Sequence, residues 1–521
     1  MTAASPTTTM TSDATFSMLV KILYLFTRLC LPPMILAHVS LAEYGLWSAC
    51  FILVGYIGML DLGLSSIYIR EVSRLRASGD IAAISRVLST GIGLMMGLAL
   101  VLLAVLCLYL PSILTLLHIA PALRPTAQIL VLGTCAVFLV DMSLSAFAYS
   151  LHGLQQFRAE QRVWTEAILL ELVLIAAFLY GGMGIHALLA AFLLRYAYAI
   201  VMNMRLAYRA LPGLQLGPRH FDRSLLRGFL SFGMGVQASS MLAIALHSVD
   251  KVVAGLTLGP SAIAVFDLGG KLPASAVSIP ASINQVTLPA AAHLAANQQP
   301  PGSAGMRSLY LRSTRSIFLL AGLLLSFLAA FAAPLCAVWL GDRSGLESLP
   351  MLMTMTALSA QLHIATGPGT AVFRGSGNLA NEFVYHALRV VLIGTAVTCA
   401  WIMGAVNVLI IGAALNGAIA VAALTYMSHN HRALGAPLRE LVSQVLFPGA
   451  LPLLVGALLF QLWSMTMPDL GRFGTLAALC TFGVVHLLLS SALLWLVLQG
   501  EERQEMIALL QGTKARLGFA T

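Results

Sequence analysis

Fourteen stretches, each about 20 residues long and almost free of charge, follow one another along the chain. They lie at roughly 16–38, 44–69, 87–109, 126–149, 163–180, 184–204, 229–256, 261–289, 317–340, 351–373, 383–403, 405–427, 441–464 and 473–498. A run of that length matches the hydrocarbon core of a bilayer when it is helical, and lipid leaves the backbone no other open choice, because its N–H and C=O groups find no water to bond. A water-soluble globule is excluded. Of 521 residues, 59% are apolar and 9% charged, with a mean hydropathy of +0.90. The chain therefore reads as an all-α polytopic membrane protein of about 14 transmembrane helices.

Residues 1–15 are rich in Thr and Ser and contain no base, so they lack the basic start of a secretory signal, and 16–38 is expected to remain as a span. With the amino terminus inside, 20 Lys and Arg fall in inward segments, among them Arg70, Arg74, Arg76, Arg205, Arg209, Arg307 and Arg312. Only Arg124, Arg343 and Arg472 face out. That asymmetry places both termini in the cytoplasm of a multi-pass protein of the inner membrane. The net charge of +9 is thus spent on topology and on contact with membrane lipids, and no nucleic-acid partner is expected. Seven scattered cysteines without a CxxC spacing read as small core residues, and no cofactor or metal is expected. No connecting stretch exceeds about 26 residues and no GxxxxGK[ST] motif occurs, so the chain offers no place for an ATPase. "FDLGGKLP" (266–273) has Val265 where a phosphate-binding loop needs glycine, and reads as a packing and hinge element.

The organisation repeats. A polar tail (1–15) precedes six helices (16–220), a second six (221–430), two further helices (431–498) and a cytoplasmic tail (499–521). "HVSLAEYGLW" (38–47) and "LTLGPSAIAVF" (256–266) are matching tight outward turns. Six is even, so the halves share one orientation and are expected to relate by an axis along the membrane normal, as a V-shaped pair with a binding site between them. The "DLG" tripeptides at 61 and 267 are not equivalent under this alignment, which puts Ile283 and Asn284 opposite Asp61.

The ordered motifs "FTRLCLPP", "AEYGLW", "LDLGL", "REVSRLRASGD", "HSVDKVVAGLTLGPSAIAVFDLGGKL" and "LPAAAHLAA" resemble the polysaccharide-export, or oligosaccharidyl-lipid flippase, branch of the multidrug/oligosaccharidyl-lipid/polysaccharide exporter superfamily. The resemblance covers about residues 16–427. It implies two six-helix lobes around a polar, often cationic cavity that carries an undecaprenyl-diphosphate-linked glycan from the inner to the outer leaflet. Glycosyltransferases and a glycan polymerase would be the accompanying machinery.

Buried charge points to the residues that matter, since each base at a helix centre costs roughly 2.5–3.5 kcal/mol on insertion scales. At 1.5 Å per residue, depth can be counted from the outward turn of each hairpin. Lys21 and Asp61 lie at equal depth about the turn near 41, so Asp61 reads as the counter-charge of Lys21, with Gly63 permitting close helix approach. A direct coupling-ion role is the alternative. The same count pairs Glu171 with Arg195 about Gly182, and Lys251 with Asp267 about residue 259; Asp250 adjoins Lys251, and Asp267 is one turn before Lys271 on the same face. These are structural pairs or cavity lining. Glu166 and Glu382 read as acids in the first turns of their helices. Arg28, Arg389 and Asp141 have no partner within their hairpins. Arg28 and Arg389 come from opposite halves, and two guanidiniums would form a bidentate clamp for a diphosphate, with pairing to distant acids as the alternative. Asp141 would then neutralise one of them.

Other features read as ordinary. His429 and His431 face apart on a helix, Gly93 and Gly97 suit packing, and Pro32, Pro33, Pro273, Pro280 and Pro289 interrupt helices one and eight. "REVSRLRASGD" and "RSLYLRSTRS" read as interfacial amphipathic segments. Among functions, the lipid-linked glycan flippase competes with a cation-coupled multidrug exporter of the same superfamily and with a membrane-embedded glycan polymerase. Six buried bases against five acids, leaving out the two helix-start glutamates, favour an anionic substrate, and the short outward loops disfavour the polymerase. Energetics agree: a charge crossing 100 mV is worth roughly 2.3 kcal/mol, and a diphosphate leaving a negative cytoplasm moves downhill.

Overall fold

A computed structural model describes residues 26–61, 63–229, 246, 248–378, 380–466 and 471–497. Among these there is no strand. Eleven helices are long and apolar enough to cross a membrane. Three of the fourteen apolar stretches fall outside that count: the first is seen only as Phe26–Leu36, the seventh as Val249–Leu258, and the tenth as Leu349–Ile364 followed by Gly367–Gly375. Large apolar side chains such as Leu108, Trp401, Phe473 and Leu488 stand exposed on the helices, a distribution that belongs to a lipid-facing surface. The protein is a multi-pass membrane protein.

The chain divides into two compact units, Met1–Asp267 and Leu268–Thr521. The first contains α1 (Phe26–Leu36), α2 (Leu41–Gly58), α3 (Leu64–Ser78), α4 (Ile81–Leu116), α5 (Arg124–Leu144), α6 (Ala146–Gly153), α7 (Phe157–Tyr180), α8 (His186–Ala210) and α9 (Val249–Leu258). The second contains most of α10 (Pro260–Ala296), then α11 (Ala304–Ala330), α12 (Ala332–Leu340), α13 (Leu349–Ile364), α14 (Gly367–Gly375), α15 (Ala380–Ile402), α16 (Val408–Ala433), α17 (Phe447–Thr466) and α18 (Gly471–Val497). The division falls inside α10 because α9 and the first turns of α10 pack on α2, where Ile263 and Val252 meet Ala49, Ile52 and Tyr56.

Several elements differ from the sequence reading, each for a local reason. The stretch 44–69 is two helices. The chain leaves helical geometry at Met59–Asp61, and Gly63 takes φ +66, a left-handed conformation that costs glycine little. Gly63 thus serves a turn. Helix α10 runs unbroken through Pro273, Pro280 and Pro289, and α1 through Pro32 and Pro33, so none of these prolines ends a helix. "FDLGGKLP" lies within α10, where Gly269 approaches Leu352; it presents no helix N-terminus to a phosphate. "RSLYLRSTRS" is the start of α11, not a separate interfacial segment, and its Tyr310 is buried against His431. Gly93 meets Phe221, but a side chain at Gly97 would meet open space, so the pair is not a close helix contact. Cys50, Cys135 and Cys336 are core residues, whereas Cys30, Cys107, Cys399 and Cys480 are exposed on the apolar surface.

The segment after α8 is held firmly in the first unit. Hydroxyls of Ser85, Ser89 and Thr90 on α4 accept the backbone N–H groups of Gln215, Gly217 and Asp222, at 3.1, 3.2 and 2.8 Å. Each bond satisfies a loop amide that would otherwise lose its partner on burial. The adjoining core of Leu64, Tyr68, Leu88, Met95 and Leu139 packs α3, α4 and α5 together.

Candidate functional site

In the first unit, the charges converge on Glu171. Hairpin geometry alone brings α7 and α8 together about Gly182, whose φ of +81 makes the turn. Arg195 Nη1 lies 3.3 Å from Glu171 Oε2, as the depth count predicts. Arg28 does have a partner: its Nη2 lies 3.5 Å from the same oxygen, brought there by the packing of α1, which hairpin counting does not see. One buried carboxylate therefore serves two guanidiniums. Arg195 is itself buried, with its guanidinium 4.8 Å from the ring of Tyr196 and 6.0 Å from that of Trp164. Aromatic faces stabilise a cation held away from water.

Arg195 and Asp141 line a cavity of about 400 Å³ among α5, α6, α7 and α8. The far wall carries His152 and Glu160, whose side chains meet at 3.2 Å. Asp141 thus shares a polar chamber with Arg195. Glu166 is not in a first turn, since α7 begins at Phe157; it is held at the surface by Arg162 at 2.8 Å and Tyr198 at 2.6 Å.

The second predicted pair also forms. Lys251 Nζ lies 2.8 Å from Asp267 Oδ1. The other carboxylate oxygen accepts the hydroxyls of Tyr44 at 3.0 Å and Ser48 at 3.2 Å. Gly45 explains how α2 comes so close: a Cβ there would strike the backbone carbonyl of Pro260. Ser40 and Glu43 form a capping box that fixes where α2 begins, and so the register of Tyr44 and Ser48. Asp250 adjoins Lys251 in the first turn of α9, and Lys271 lies one turn beyond Asp267 on α10.

Asp61 sits in the break between α2 and α3, half-buried, and accepts the Ser65 hydroxyl at 2.9 Å. Lys21 lies outside the described residues. The pairing is open to a direct test. Asp61→Asn is expected to lower export or expression, and Lys21→Met combined with Asp61→Leu to recover part of that loss, because one unpaired buried charge is worse than none. Export per inserted protein no better in the double variant than in the worse single one would assign Asp61 a direct role.

The second unit contains a polar network that sequence reading did not assemble. Arg389, 6% exposed, has its guanidinium 5.8 Å from the ring of Tyr385. Tyr385 OH meets His363 Nδ1 at 2.5 Å and its ring stacks on Tyr426 at 4.7 Å. Asn381 donates to Tyr426 OH at 3.2 Å and to Asn430 Oδ1 at 2.7 Å. Glu382 is in the first turn of α15 as expected, yet it is also gripped by both nitrogens of the Arg374 fork, Nη2 at 2.6 and 2.7 Å and Nε at 3.2 Å, with His386 at 3.6 Å. The available signal was the spacing of Glu382, His386 and Arg389, one face of a helix at i, i+4 and i+7. His431 is buried on Tyr310 and His429 is exposed, so the two do face apart.

A family model described as "Polysaccharide biosynthesis protein" matches residues 13–295, more than half of the chain. The chain belongs to the polysaccharide biosynthesis protein family. No curated protein matches the sequence. Among solved structures, this polysaccharide biosynthesis protein is similar to the lipid II flippase MurJ in an inward closed conformation. The TM-score is 0.67 at 12% identity, covering 93% of this chain and 98% of that one. An inward-facing multidrug resistance MATE family transporter of the MOP superfamily gives 0.62 at 17% identity, covering 76% and 93%. A MOP superfamily transporter from Pyrococcus furiosus gives 0.53 at 18% identity, covering 81% and 94%. The family member thus has the polytopic fold of MOP transporters, as its sequence motifs imply.

Proposed function

We propose that this polysaccharide biosynthesis family member moves a polyprenyl-diphosphate-linked oligosaccharide across the inner membrane by alternating access of two six-helix lobes, with both termini cytoplasmic. The observation that carries the reading is the convergence of the Arg28 and Arg195 guanidiniums on one oxygen of Glu171 inside the membrane-spanning bundle. Bases held inside a membrane bundle are costly and mark functional sites, and a guanidinium fork suits a phosphate. Arg389, seated over Tyr385, supplies a further base in the second unit. The fold's likeness to MurJ, a lipid II flippase, adds support for a lipid-linked substrate. The family description favours a glycan cargo over a drug.

Arg28 and Arg389 remain the residues proposed to grip the diphosphate, and Lys251, Lys271 and Arg195 to line its path. Asp61, Asp141, Glu171, Asp250 and Asp267 set the local charge balance. The reading is tested in a strain deleted for its own flippase, where this chain should restore surface polysaccharide. Failure to restore it, together with export of cationic dyes, would favour the multidrug alternative.

A further inference from the structure

A cavity of about 830 Å³ opens in the second unit where the loop 341–348 meets the end of α17 and the start of α18. Its volume falls within the ~300–1,000 Å³ typical of small-molecule sites. Three charged residues of the loop, Asp342, Arg343 and Glu347, line it together with Trp463, Ser464 and Thr475. None of these takes part in the charge clusters described above.

The walls are built firmly. Trp463 makes T-shaped contacts with Phe331 and Phe482, with ring centroids 5.7 and 5.2 Å apart. Arg343 Nε donates to the carbonyl of Leu340 at 2.8 Å. Glu347 accepts the Gly345 amide at 2.9 Å, a bond that holds its carboxyl below the usual glutamate range. Arg472 clips the start of α18 to α12 through the carbonyls of Val338 and Trp339, at 2.7 and 3.0 Å.

The chemistry narrows the ligand. Two carboxylates and the Arg343 guanidinium line the cavity, with Arg472 beside it, so it carries no excess of positive charge to draw in a phosphate or an anionic lipid headgroup. Carboxylates accept hydrogen bonds and a guanidinium donates them, and the hydroxyls of Ser464 and Thr475, whose protons go to the carbonyls of Gln461 and Gly471, accept, so together they match a ligand carrying many hydroxyl groups. An indole offers a broad apolar face with one polar N–H, which suits the C–H face of a sugar ring. A purely apolar acyl chain would leave the charged rim unused.

We propose that this cavity binds the non-anionic glycan part of the transported molecule, at the end of the second unit that the charge asymmetry of the sequence places outside. The inference rests on the flippase reading given above. It places a sugar-binding site apart from the phosphate-binding arginines, where the glycan would be received as it reaches the outer face.

The test uses the full chain in cells of the flippase-deleted strain. Ser344 is replaced by p-benzoylphenylalanine, the cells are irradiated, and the purified protein's adducts are read by mass spectrometry. The same replacement at Leu488, on the lipid-facing surface, serves as the reference for bulk phospholipid. The expected result is a glycan-bearing adduct at 344 that is absent at 488. It should fall about tenfold in Trp463→Ala, the equivalent of roughly 1.4 kcal/mol. The pair Asp342→Asn with Glu347→Gln, on an exposed loop where folding is not at stake, should give a similar loss. A phospholipid or protein adduct at 344, no adduct, or a glycan adduct unchanged in the loop variant would overturn the site. Surface polysaccharide measured in the same cells separates the two claims: restored polysaccharide without a glycan adduct refutes the site alone, and polysaccharide not restored by the wild-type chain refutes the flippase reading.

Discussion

Glu171→Gln is expected to unfold or mislocalise most of the protein, although the side chain keeps its shape. The wild-type carboxylate meets Arg28 at 3.5 Å and Arg195 at 3.3 Å through one oxygen, and it is 2% exposed. Neutralising it takes from the two guanidiniums the carboxylate oxygen that they share. Removing one partner of a buried ion pair typically costs about 3–5 kcal/mol, because the remaining charge loses its compensation. Melting in detergent, followed by size exclusion after heating, should show the loss directly. Adding Arg195→Met to Glu171→Gln should restore part of the stability, since it removes one of the uncompensated bases. It should not restore export. A Glu171→Gln protein as stable as wild type would show that the two arginines are balanced by other groups.

The second large effect is expected on transport and not on folding. Arg28→Ala and Arg389→Ala should each reduce surface polysaccharide per inserted transporter by about tenfold to a hundredfold. That corresponds to the roughly 1.5–3 kcal/mol carried by a hydrogen bond to a charged group. Lysine at either position keeps the charge but loses the planar fork, and should fall between wild type and alanine. The structure alters the argument for Arg28. Its claim rests on sharing Glu171 with Arg195, not on lacking a partner. Full export by both alanine variants would remove the diphosphate clamp.

The parts of this molecule that were legible in its sequence are those set by local geometry. Helix positions follow from the apolar runs, and Glu171–Arg195 and Lys251–Asp267 follow from counting depth in hairpins whose turns are marked by Gly182 and Gly259. A hairpin is the simplest tertiary unit, and a regular rise makes its register countable. Contacts between helices that are not chain neighbours were beyond that count. Arg28 reaches Glu171 from α1, and Tyr44 reaches Asp267 from α2 through the close approach at Gly45. The Arg374–Glu382 grip, the Tyr385–Tyr426 stack and the Asn381–Asn430 bond join the consecutive helices α14, α15 and α16, and were missed for a different reason, because depth was counted only for opposite charges across one hairpin. Breaks inside apolar runs were hidden too, because hydropathy does not register φ. The break at Asp61 lies within a long apolar run and turns on the left-handed Gly63, which only the folded chain reveals.

The central claim is movement of a lipid-linked anion, and the most direct measurement is its rate of crossing a bilayer. The purified chain would be placed in liposomes containing a fluorescent polyprenyl-diphosphate oligosaccharide, with an interior-negative potential, and arrival at the outer leaflet scored by cleavage with an external glycosidase. Wild-type protein is expected to expose the glycan well above the protein-free rate, faster as the potential becomes more negative, with Arg28→Ala and Arg389→Ala near the protein-free rate. Glycan exposure by the wild type at the protein-free rate, with the same liposomes expelling a cationic dye against a proton gradient, would contradict it.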